Sequence, residues 1–308
     1  MKRQITIGLL MFICSSSIVA AKNPVPLSAD LSRSELFERW LKSEGLVGEG
    51  AGALPPTFQF PEKARENSVF GMDLSHHNFD NCKCKFNWSA FKEKKIVFGY
   101  LKATQGYTYF DNKFQEGWKG LGGAGIYRGA YHFLAADVDP KAQANWFLQF
   151  YENAKKNDNT EVAKLNLPPV VDLEWDYNSS GVDKWSKIYK NNPTDIVKRL
   201  HVFVDIVKEK TGQAPLIYTN RAWWRDTIKD ESLADEFKSN VIWIADYSAA
   251  GLATEVPKTP NSATWGIWQF SERASINSVG EKDNKGIKID ANIAFGDIVA
   301  FKKLMGLQ

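Results

Sequence analysis

Cysteine is scarce in this 308-residue chain: there are three, and one of them, Cys14, lies in the first apolar stretch. The other two, Cys82 and Cys84 in "NCKCKF", are too few for a disulfide-built scaffold and, alone, too few for a structural zinc site. They read as a surface loop without chemistry, with a local bridge as the alternative in an oxidising compartment. Histidine is equally thin, with four residues and no HxxxH or HExxH spacing, so neither a metal nor another cofactor is expected. His76 and His77 are adjacent, and neighbours on a strand face opposite sides. His132 reads as a hydrogen-bonded residue at a strand end, and His201 as a packing or surface residue of a helix. No Ser–His–Asp arrangement stands out, and "NSSG" at 178–181 is a loop rather than a nucleophile elbow. An excess of one charge is missing too, with 39 Lys and Arg against 36 Asp and Glu, which gives nucleic acid no footing. Internal repeats and low-complexity tracts are absent.

The single long apolar run is N-terminal. "MKRQ" is a short basic region, "ITIGLLMFIC" an apolar one, and "SSSIVAA" ends in small residues, with Val19 and Ala21 at the −3 and −1 positions of a cut after Ala21. Residues 1–21 are therefore expected to be an export signal, giving a periplasmic or extracellular protein with no stable membrane insertion after cleavage. The alternative, an uncleaved anchor, is disfavoured because three Ser interrupt a run already short for a span. Losing Lys2 and Arg3 leaves 37 basic groups against 36 acidic, close to neutrality.

Residues 22–65 form a preface. "SADLSRSELFERWLKSEG" has the pattern of a short amphipathic helix with Leu36, Phe37, Trp40 and Leu41 on one face, and a Gly- and Pro-rich linker follows. Residues 66–308 then read as one catalytic-size domain. Candidate strands cover 68–75, 95–104, 125–133, 167–175, 214–220, 240–248, 263–271 and 286–294. Helical stretches lie at Asp111–Leu121, Pro140–Lys155 and Pro193–Thr211, the last opened by Pro193 and closed by Gly212. Eight strands separated mostly by helices predict a closed α/β barrel, irregular at its C-terminal end, where the last two strands are joined by a polar loop.

Polar groups gather near the C-terminal ends of these strands: Asp73, Lys102, Tyr131 with His132, Asp172 with Glu174, Tyr218, Asp246, Gln269, and Asp290 with Asn292. In a parallel barrel those ends converge on one face, where active sites sit. In "LPPVVDLEWDY" the two-residue period points Asp172 and Glu174 to one side and Val171, Leu173 and Trp175 to the other. Two crowded carboxyls in a partly apolar cleft penalise double ionisation, so one keeps its proton to higher pH, as protonation of a departing glycosidic oxygen requires. Eleven Trp suit a sugar-binding cleft as well as a core. Trp175 is the candidate sugar platform, with packing between barrel and helices as an equal alternative.

From Phe70 to about Phe301 the chain resembles the glycoside hydrolase family 25 lysozymes, the muramidases that cut peptidoglycan. The blocks that carry the likeness are "GMDLSHHN" with "FNW", "YLKATQGYTYFDNKF", "GIYRGAYHF", "PPVVDLEWD", "TGQAPLIYTN", "IWIADY", "WGIWQFS" and "IDANIAFGD", in order. The resemblance implies an irregular β/α barrel that acts on peptidoglycan glycan strands without a cofactor. It implies Glu174 as general acid, with Asp172 assisting directly or by orienting the substrate's acetamido group. It also implies Asp73 and Asp290 as further acidic residues of the groove, and Tyr131, Tyr218 and Gln269 as sugar contacts. Two departures are Gln105, where the family usually has Glu, and Asp246, where relatives vary; Asp246 stays a cleft-lining candidate. The protein is expected to be a monomer. The rival reading, a catalytically silent glycan-binding barrel, would lack an essential carboxylate, and all four are present.

Overall fold

The computed structural model describes residues 69–247, 256–276, 279–280 and 287–307. The expected export signal and helical preface, residues 1–65, lie outside them. Nine strands are formed among the described residues: β1 (Phe70–Leu74), β2 (Phe98–Gln105), β3 (Tyr109–Phe110), β4 (Tyr127–Phe133), β5 (Val170–Leu173), β6 (Leu216–Asn220), β7 (Ile242–Ala245), β8 (Trp265–Ile276) and β9 (Ile287–Ala294). The α-helices among the described residues are α1 (His76–Cys82), α2 (Trp88–Glu93), α3 (Phe114–Gly123), α4 (Pro140–Lys155), α5 (Thr160–Ala163), α6 (Lys184–Ile188), α7 (Thr194–Thr211), α8 (Arg221–Trp223) and α9 (Ile298–Leu304).

Strands β1, β2, β4, β5, β6, β7 and β8 run parallel in that order. β9 returns antiparallel between β8 and β1, and the β1–β2 pairing closes an eight-stranded barrel. β3 is an added two-residue strand that folds back on the end of β2. Helices thin out late in the chain: α7 has 18 residues, whereas β6 and β7 are joined by short helical segments of three to seven residues. The irregular C-terminal end anticipated from the sequence is therefore present, and its most consequential part is the reversal of β9.

Alternation along the strands sorts side chains into two layers. Tyr100, Val170, Leu216, Trp243 and Ile267 fill the barrel, whose lower end is plugged by Phe301 of α9 and by Met305. Val171, Leu173, Ile217, Ile244 and Trp268 face outward under the helices, where α4 supplies Phe147 and Tyr151 and α7 supplies Leu200, Phe203 and Val207. The α7 residues recur at three- and four-residue steps, the spacing that keeps them on one helix face. Asp139 caps α4 by accepting the Ala142 amide at 3.0 Å, with Pro140 in the first turn, where its missing N–H costs nothing. Gly212 ends α7 at φ 73°, a left-handed conformation suited to glycine. Inside the barrel a Cβ on Gly129 would fall 2.0 Å from the Tyr100 ring, so that ring depends on the glycine for its place.

Cys82 and Cys84 are joined by a disulfide at the end of α1, which decides the question the sequence left open. Among the described residues no helix is long and apolar enough to cross a membrane.

Candidate active site

The C-terminal ends of the parallel strands open into a cavity of roughly 520 Å³ counted to its mouth. Four carboxyls expected from the sequence line it: Asp73 from β1, Asp172 from β5, Glu174 one residue beyond β5, and Asp290 from β9. Tyr131, Tyr218 and Gln269 line it as well. Asp290 arrives by a route the sequence did not suggest. β9 runs against its neighbours, so Asp290 lies in the first half of that strand rather than at its C-terminal end, and pairs in register with Asp73.

A polar network fixes one wall. Asp73 Oδ2 accepts the side-chain amides of Gln269 at 2.8 Å and Asn292 at 2.7 Å. Gln269 Oε1 in turn accepts the hydroxyls of Tyr218 at 2.8 Å and Tyr247 at 2.5 Å, and Trp243 Nε1 donates to Asn292 Oδ1 at 2.8 Å. Each buried polar group on this wall thus has a partner, which orients the carboxylate and the two phenols.

The opposite wall is less satisfied. Asp172 is buried, and its Oδ1 has no hydrogen-bond partner among the described residues. Burial drives the Asp172 carboxyl well above the usual range, the Glu174 charge adds to the rise, and Lys102 opposes it. Glu174 is pushed up to about 7 by the same loss of solvent, with Asp73 and Glu272 reinforcing and Lys102 opposing. Asp73 rises to about 6, again through burial, while the amides of Asn292 and Gln269 pull it back. Asp290 goes well above the usual range through burial and the charge of Asp73. A group poised near neutrality beside a second carboxyl is the arrangement needed to hand a proton to a leaving oxygen and recover it.

Three expected site residues are not on the cavity wall. Lys102 sits beside it, its Nζ 5.0 Å from the centre of the Phe133 ring, and its charge reaches Asp172 and Glu174. Trp175 packs against the outer cluster under the helices. The correction follows from the alternation itself, because the period that sends Asp172 and Glu174 inward sends Trp175 outward. Asp246 also leaves the cavity: its carboxylate accepts the Lys258 amide at 2.7 Å. Conversely, Val170, Trp243, Tyr247 and Glu272 line the cavity without having been singled out. Val170 and Trp243 share the inward parity of Asp172, a signal available in the strand pattern. Glu272 follows two register irregularities in β8, after Gln269 and after Ser271, which defeat any parity count.

The sequence matches Glycosyl hydrolases family 25 over residues 72–279. The chain belongs to that family. Lysozyme M1 of Streptomyces globisporus is 29% identical over 235 residues, covering 76% of this chain and 71% of that one. The N,O-diacetylmuramidase of Arthroderma benhamiae is 29% identical over 178 residues, 57% of this chain and 67% of the relative. Among solved structures, the bacterial lysozyme of Streptomyces coelicolor superposes with a TM-score of 0.60 at 27% identity, covering 78% of this chain and 98% of its own. A family 25 protein with this barrel is a glycoside hydrolase, and its site is to be read as one that opens a sugar–sugar bond.

Proposed function

We propose that the protein is an exported lysozyme that cleaves the β-1,4 bond between N-acetylmuramic acid and N-acetylglucosamine in peptidoglycan, with Glu174 as general acid and base. The observation that carries this is Glu174 itself, a half-buried carboxyl raised to about 7 on the wall of a carboxyl-lined cavity. Glu174 donates its proton to the leaving oxygen and then takes one from the attacking water. Asp172 assists: its unpartnered Oδ1 is an acceptor offered to the sugar at the anomeric carbon or at the acetamido group. Asp73 and Asp290 hold the far wall, and Tyr131, Tyr218 and Gln269 contact the glycan. Two relatives, a lysozyme and an N,O-diacetylmuramidase, support this choice of substrate. Export rests on the signal-like pattern of residues 1–21, which would leave 66–308 as the catalytic domain behind a short preface.

The test is clearance of purified cell walls by the protein and by Glu174→Gln, with mass spectrometry of the released muropeptides. Glu174→Gln should lose about 100- to 10,000-fold in rate while keeping its fold. New reducing ends should appear at muramic acid. Undiminished clearance by the variant, or reducing ends at glucosamine, would overturn the proposal.

A further inference from the structure

β2 contains an irregularity that changes which residues meet. Its register with β4 shifts between Lys102 and Thr104, passing over Ala103. In an unbroken strand Lys102 and Thr104 would share a face and Gln105 would point away. The bulge reverses this beyond Ala103, as an extra residue in one strand does. Thr104 turns to the outer layer, where its hydroxyl meets His132 Nδ1 at 2.8 Å. Gln105 turns to the Lys102 side, and Lys102 Nζ donates to Gln105 Oε1 at 2.7 Å.

The ammonium so held lies over two rings, 5.0 Å from the centre of Phe133 and 5.7 Å from that of Tyr109. Phe133 is the register partner of Asp172, so the ring under the ammonium belongs to the residue paired with one member of the carboxyl pair. The charged and titratable groups around it are Asp172 and Glu174 from the end of β5, and Asp111 after β3, with His77 of α1 and His132 of β4 also within its field. Asp111 is largely taken up elsewhere: it accepts the His76 amide at 2.9 Å, the His76 ring at 2.9 Å and the Lys113 amide at 2.9 Å. The fixed partner of Lys102 is therefore a neutral amide oxygen. It orients the ammonium and leaves its charge to act on Asp172 and Glu174.

We propose that Gln105 is a positioning residue for the reaction: through the bulge at Ala103 it anchors Lys102 beside Asp172 and Glu174 without adding a negative charge of its own. In a cavity with five carboxyls, the Lys102 charge opposes the rise of both Asp172 and Glu174. A carboxylate at position 105 would pair with that cation and weaken its hold on the two acids. This inference rests on Glu174 serving as the acid, and the experiment separates the two.

Glutamate labelled with ¹³C at the carboxyl is titrated by NMR in the protein and in Gln105→Glu, Gln105→Leu and Lys102→Met. The Glu174 signal in each background is identified by its loss on adding Glu174→Gln. Lys102→Met, with the cation gone, sets the ceiling for the Glu174 midpoint. Gln105→Glu should raise the midpoint by roughly 0.5–1 unit and carry the alkaline limb of the kcat profile with it. Gln105→Leu, which keeps bulk but removes the acceptor, should raise the midpoint less and lower kcat more than it changes KM. A Glu174 midpoint unmoved in both Gln105 variants, each folded by near-ultraviolet circular dichroism, overturns the proposal. If the parent fails to clear walls, the acid role of Glu174 falls instead, while the titration still answers for Gln105.

Discussion

Asp73 and Asp290 are register partners across the antiparallel β1–β9 pairing, and both carboxyls line the cavity. Two buried carboxyls set against each other resist double ionisation, and burial with the charge of Asp73 raises Asp290, while Asp73 accepts from Gln269 and Asn292. A folded carboxyl raised above its unfolded value adds stability that is complete below the unfolded value and is lost as the pH climbs through the folded one. For Asp73 the window runs from 3.8 to about 6, and for Glu174 from 4.5 to about 7. The protein should therefore melt at lower temperature at pH 8 than at pH 5, with a loss on the order of 3 kcal/mol. Asp290→Asn removes one titrating group, so calorimetry should show a shallower fall. Equal pH slopes for parent and variant would exclude the pair as the source.

In the proposed role Glu174 acts only while it carries its proton, so the rate should decline above about pH 7. Glu272 lines the same cavity from an exposed position, and its charge helps hold that proton. Glu272→Gln should move the alkaline limb down by a few tenths of a unit at low ionic strength. The shift should shrink in salt because the interaction is solvent-screened. Steady-state rates across pH 5–9 at two salt concentrations check both statements.

Asp172 combines burial with an oxygen that no group among the described residues satisfies. Such a group costs the folded state and is kept where substrate uses it. Asp172→Asn removes the charge at nearly the same volume. It should stabilise the fold by about 1 kcal/mol at pH 8 and reduce kcat about 100-fold or more. A variant that is less stable than the parent, or retains full activity, would contradict this.

The legibility of the barrel and its site follows from where side-chain parity holds. β5 and β6 alternate without interruption, so Asp172 and Tyr218 could be placed inward from the sequence, and α4 and α7 carry the apolar spacing and terminal residues that mark their ends. The same alternation points Trp175 away from Asp172 and Glu174, and the packing alternative left open by the sequence agrees with its place against the outer cluster. Parity fails where register slips. The bulge in β2 brings Gln105 to Lys102, and the irregularities of β8 bring Glu272 to the rim. The direction of β9 was not readable because a short polar connection is compatible with a strand of either sense until the pairing partners are known. That reversal is what sets Asp290 against Asp73.

Away from the cavity, Arg128 offers a test of the fold alone. Its guanidinium is buried between β4 and the outer helices, paired with Asp158 at 2.6 Å, donating to Asn166 Oδ1 at 3.1 Å and to the Trp118 carbonyl at 2.5 Å. It also lies 4.4 Å from the Trp118 ring centre. Desolvation already pulls the Arg128 pKa below its ordinary value, and Asp158 is the group that restores it. Asp158→Ala would leave a buried cation without its counter-charge, and would also strip an acceptor from Asn166 Nδ2. The expected cost is about 3–5 kcal/mol, because the lost attraction no longer offsets the desolvation of the guanidinium. Arg128→Met in the same background removes the stranded charge and should recover part of that stability, an ordering that chemical denaturation of the two variants can read directly. Neither residue lines the cavity, so the variants that remain folded should keep the parent's pH profile for wall clearance.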